Sequence, residues 1–201
     1  MRAALDPALG AIAGELARAN PELEHVDGTR ILFVAGAARR GHRASVRPLR
    51  FARGRRSEDG RWWKPEVIID GRPMLYEICL RPRFFLEGDG ETRLTILAHE
   101  LWHLAPAFDG TLAEERRHHA APSFDELVDT FVARYRAAGF TSDRALAVEG
   151  ELELAAWLQR PPSRVAVGVR DRARYDERDL YRAVISQRIT RPSPGRSRTG
   201  A

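Results

Sequence analysis

Cysteine, lysine and methionine are nearly missing from this chain of 201 residues, which has one Cys, two Met and, at Lys64, one lysine. The lone cysteine, Cys79, cannot form an internal disulfide and excludes a zinc site built on several thiolates. Any metal centre here must therefore rest on imidazole and carboxylate. No run reaches the roughly 18 apolar residues of a membrane-spanning helix. The N-terminus meets Asp6, Pro7 and Glu15 too early for a secretory signal. These absences predict a cytoplasmic protein with no membrane partner.

Charge is plentiful but says little. Lys+Arg 33 against Asp+Glu 28 leaves a net charge of +5. The strong preference for arginine over lysine looks like genome composition. Arg191, Arg196 and Arg198 supply three of the five units, in a Pro-, Ser- and Gly-rich stretch without an acid. Residues 191–201 therefore read as a flexible basic tail. The remainder is almost neutral, so nucleic acid is a permitted partner through the tail, not an indicated one. At 43% hydrophobic and 30% charged residues the chain is globular, with a core of its own.

Apolar spacing gives the elements. Asp6 reads as a helix cap before Pro7, with Leu5, Leu9, Ile12 and Leu16 as one stripe and Asn20-Pro21 as the stop. Short strands are predicted at 30–34 and about 44–49, then at 67–69 and 75–80, the last two joined as a hairpin through Asp70-Gly71-Arg72-Pro73. From Glu91 to about Ala105 the spacing turns helical, and Pro106 stops it. Ser123 and Glu126 form a capping box for a helix that Gly139 ends. Residues 143–148 read as a short helix, 152–158 and 165–169 as strands, and 179–188 as a helix. The expected organisation is a core over 1–140, an extension or small subdomain over 141–190, and the tail.

The chemistry concentrates in four of the six histidines, which fall between positions 99 and 119. His99-Glu100-Leu101-Trp102-His103 places two imidazoles about one helical turn apart, where they can share one metal. Glu100 lies roughly 100° around the helix and can take a proton from an activated water without being a ligand. Zinc suits such a set, usually with three protein ligands and one open position. The third ligand must come from beyond this helix, and Pro106 and Gly110 allow the chain to reverse toward it. His118 and His119 both fit; spacing does not choose between them. Asp109 serves either to orient a liganding histidine or simply as a turn residue. Other readings are a solvated turn at Arg39, Arg40 and Arg43, and a buried, inert thiol at Cys79. Trp62-Trp63 beside Lys64 is either strand packing or an aromatic-basic patch. The strand 76–80 is either core or a partner for an extended peptide.

The run Leu97 to Leu104, then Phe108-Asp109-Gly110, then Arg116-Arg117-His118-His119, resembles the phage-type metallopeptidase family, HExxH zincins distantly similar to SprT-like proteins. The resemblance extends over roughly 19–135, including Tyr76 to Leu80 and Phe84-Phe85. It implies an α+β, minimal zincin-like fold: a short mixed sheet packed on an active-site helix that carries HExxH. It also implies Zn²⁺ held by His99, His103 and His119 (alternative His118), Glu100 as catalytic base, and a peptide or protein as substrate. Where the SprT-like pattern has Gly after that histidine and Phe four residues on, this chain has Ala120 and Phe124. The alternative function is a non-catalytic zinc-containing module that binds peptide or associates with nucleic acid.

Overall fold

The computed structural model describes residues 2–37, 41–52, 54–114, 124–147, 150–157, 162–170 and 173–189. In chain order the elements begin β1 (Arg2–Ala4), α1 (Asp6–Ala19), β2 (Ile31–Ala35), β3 (Ala44–Pro48), β4 (Trp62–Trp63) and β5 (Glu66–Ile69). Next come β6 (Arg72–Pro73), β7 (Tyr76–Leu80), α2 (Pro82–Leu86), α3 (Gly90–Trp102) and α4 (Phe124–Ala137). The last are β8 (Gly150–Trp157), β9 (Val165–Ala166), β10 (Arg174–Tyr175), α5 (Glu177–Leu180) and β11 (Tyr181–Ile189). The fold is mixed α+β.

The main sheet runs β1-β8-β2-β7-β3, with β11 also paired to β8. β2 lies parallel to β7, and β3 lies antiparallel to it as an edge strand. Alternation along β2 and β7 separates two faces. Ile31, Phe33, Tyr76, Ile78 and Leu80 pack against α1, α3 and α4 in the larger core. Leu32, Val34 and Cys79 face the other way and join Leu49, Val67, Met74 and Leu180. The helices are held by the stripes that spacing predicts: Leu9, Ile12 and Leu16 from α1, and Val128, Phe131, Val132 and Tyr135 from α4, are all buried. Asn20 locks these two helices together, its Nδ2 donating to Leu16 O at 2.9 Å and Phe131 O at 3.2 Å.

Several expectations change. The cap of α1 is Leu5, not Asp6, and no side chain closes it; Asp6 is the first helical residue. The turn at Asp70-Gly71 closes a hairpin only with Arg72–Pro73, because residues 76–80 are taken up between β2 and β3. The segment read as helix over 179–188 has just one turn, 177–180. Tyr181–Ile189 is a strand, because it meets β8 along its whole length. Of Val165, Val167 and Val169, only the first lies in a strand; the others are exposed. Residues 142–147 form a 3₁₀ helix. β1, α2 and β10 are elements that the spacing does not predict. Ser123 and the basic tail lie outside the described residues.

Candidate functional site

The helix that carries the histidines begins at Asp89, whose carboxylate accepts from Thr92 N at 2.9 Å. Its interior is mostly apolar, with Leu94, Leu97, Ala98 and Leu101 buried together with Arg93 and Glu100. It ends at Trp102, three residues sooner than the spacing predicts, so that His103 is its C-cap and not an interior residue. Backbone bonding explains the early end. Leu104 bridges Leu112, Ala105 N donates to Thr111 O at 3.2 Å, and Ala113 N donates to His103 O at 3.1 Å. The chain thus turns back on itself immediately after the histidines.

Pro106 to Gly110 make that reversal, as the sequence implies. Phe108 and Gly110 both take positive φ, 46° and 92°. The buried Tyr76 hydroxyl accepts from Gly110 N at 3.1 Å, which ties the turn to the sheet. Asp109 acts as a turn residue, its Oδ1 accepting from Thr111 N at 3.0 Å and from Thr111 Oγ1 at 2.7 Å.

His103 keeps right-handed helical backbone angles, φ −70° and ψ −12°, so it still stands over His99. Their ring centroids are 5.1 Å apart with planes at 74°. Glu100 turns aside toward β3 and is 7% exposed. Burial pushes its carboxyl up to about 7, while the Val46 backbone N–H that donates to it and the charge of Arg81 pull the other way. Between α3 and β3 opens a cavity of about 830 Å³. Ala44, Ser45 and Val46 form one wall, and His99, Glu100 and His103 the other. The strand expected to accept a peptide, β7, cannot do so: it is interior, and all five of its residues are buried. Among the described residues the sheet edge along the cavity belongs to β3, whose Val46 N–H donates to Glu100.

His118 and His119 lie outside the described residues. The described residues on either side of that segment are both seated on the histidine pair. Ala113 is bonded to His103 O, and the Phe124 ring lies 4.9 Å from the His99 ring and 6.4 Å from that of His103. Phe124, read in the sequence only as a displaced counterpart of the SprT-like Phe, thus packs on both histidine rings, a contact that spacing does not predict. Among the described residues no three His, Cys, Asp or Glu side chains come together as a metal-binding group. Of the residues expected to hold a metal, the described ones are His99 and His103 alone.

Cys79 is buried, and burial raises its thiol pKa. Arg39 and Arg40 lie outside the described residues, and Arg43 contacts Glu87 at 3.6 Å. Among the described residues no helix is long and apolar enough to cross a membrane. No family model matches the chain, and no curated protein or solved structure matches it either.

Proposed function

We propose that this chain is a zinc-dependent metallopeptidase of minimal zincin-like fold, with α3 as its active-site helix. One observation carries the reading: the two imidazoles, 5.1 Å apart, share a cavity wall with a buried carboxyl, opposite an edge strand. His99 and His103 would hold the metal together with His119 or His118. The donor chemistry fits, since neutral imidazoles suit zinc and the sole cysteine is buried elsewhere. The return of the chain to the pair at both Ala113 and Phe124 supports a third ligand from between them.

Zinc, when bound, supplies Lewis acidity toward water and toward a peptide carbonyl. The protein does the rest. Glu100 accepts the proton released as water oxygen bonds to the carbonyl carbon, then returns it to the amine as the C–N bond breaks. A buried carboxylate beside the reacting atoms serves both transfers. The edge of β3 can align an extended peptide across the histidines. A single buried thiol suits a reducing, cytoplasmic setting.

The purified protein is expected to carry about one zinc per chain, read by elemental analysis. His99→Ala and His103→Ala should each lose it, and full retention in both would overturn the site. Cleavage of a dye-labelled denatured protein tests the rest: Glu100→Gln should keep the metal and lose hydrolysis. Zinc bound by a wild-type chain that cleaves nothing would leave the non-catalytic reading instead. Separate His118→Ala and His119→Ala variants identify the third ligand by which one loses metal.

A further inference from the structure

The ribbon formed by β4 and β9 lies outside the proposed zinc site. Trp62 pairs with Ala166 and Trp63 with Val165, and neighbouring residues of a strand face opposite ways. Each indole is met by a guanidinium: Arg164 lies 4.3 Å from the Trp62 ring centroid, and Arg55 lies 5.7 Å from that of Trp63. Arg55 is fixed by backbone, donating to Lys64 O at 3.2 Å and Ala173 O at 2.8 Å. With Trp63, Arg56, Val167 and Gly168 it frames a cleft of about 390 Å³. Gly168, at φ +94°, has open space where a side chain would project. Val167 and Val169 are 45% and 57% exposed, an apolar surface at the mouth of the cleft. Arg56, Arg61, Arg164 and Arg170 are exposed around it. Among the described residues the acids nearby include Glu58, Asp59, which lies 4.0 Å from Arg61, and Glu66, whose backbone N donates to the cleft residue Ala173.

We infer that this ribbon binds single-stranded nucleic acid, with a base entering the cleft against Trp63 and its phosphate meeting Arg56. An aromatic face beside arginines is the chemistry that takes an unpaired base together with its phosphodiester. An acidic peptide would use the charge and leave the indole and the cleft without a role.

Fluorescence anisotropy of labelled oligo(dT) and oligo(rU) of about 15 nucleotides, against a duplex of equal length, tests this on the full chain. Single strands should bind more tightly than duplex, with affinity falling as salt rises. Trp63→Ala and Arg56→Glu should each weaken binding about tenfold or more, and Trp63→Phe should restore most of it. His99→Ala should bind like the wild type, which separates this surface from the zinc reading. The dT and rU arms show whether the sugar matters. Absence of binding, binding untouched by both Trp63→Ala and Arg56→Glu, or binding lost entirely on deleting residues 191–201 would overturn the proposal. Equal displacement by a polyglutamate peptide would do so as well.

Discussion

The two faces of the main sheet are built on different terms. Along β7, Tyr76, Ile78 and Leu80 point into the helices and meet Leu94, Leu97 and Phe131 in a core made of apolar side chains. Glu77 and Cys79 point the other way. Glu77 is wholly buried and pairs with Arg47, which burial pushes down to about 10. Lys64 is buried beneath the same region, its Nζ donating to Pro48 O at 2.7 Å and lying 4.8 Å from the Phe51 ring centroid. Arg81 is buried as well, donating to Ala37 O and Ser45 Oγ. The helical face gains most of its stability from area removed from water, although it also holds Arg93, bonded to the carbonyls of Phe84 and Phe85, whereas the opposite face depends on every charge keeping its partner.

Removing a partner is the harshest way to break this contrast. Glu77→Ala, which leaves Arg47 buried without that carboxylate, should cost about 3–5 kcal/mol in urea unfolding. Joint replacement of Glu77 and Arg47 by Met should recover most of that loss. A single variant no worse than a surface substitution would deny the pair its importance. On the helical face, Leu97→Ala should cost about 2–5 kcal/mol through the space it leaves. Between about pH 8 and 9, above the range in which buried Glu100 titrates, that loss should be constant, and a slope there would mean the two faces are coupled.

The smallest effect sharpens the comparison by titration. Burial first, and then the charge of Arg47, push Lys64 down from 10.5 to about 8. Between about 8 and 10.5 the unfolded chain holds a proton that the folded chain has released, so stability rises with pH there. The Cys79 thiol, raised by burial above its ordinary 9.0, acts in the opposite sense beyond that point. The clean window is therefore about pH 8 to 9. Lys64→Met should flatten the rise there; an unchanged slope would assign the proton to another group.

Legibility in the sequence follows the same divide. The stripes of α1 and α4 and the alternation of β2 and β7 could be read because each pattern is local. Tyr181–Ile189 could not, since its pairing with Gly150–Trp157 outweighs whatever its own spacing favours. At the candidate site the spacing of His99 and His103 predicts two rings on one side, and they are found so. Their position at a helix end, the contact of Phe124 and the seat of Glu100 against Val46 all depend on segments distant in the chain. No spacing rule reaches across such distances. Asp109 shows the reverse case: its bonds reach only two residues, and one of its two sequence readings was the turn it forms.

The pairing of β1 with β8 sets an order of events during synthesis. Arg2, Ala3 and Ala4 find their partners in Glu151, Leu152 and Glu153, and Ala156 of the same strand pairs with Ala35 of β2. At about 5–20 residues per second, the first strand leaves the ribosome on the order of ten seconds before its neighbour exists. During that interval the side of β2 that β8 will join stays open to wrong partners. Closure therefore falls to β8, which must enter beside strands made long before it, and β11 pairs with it later still.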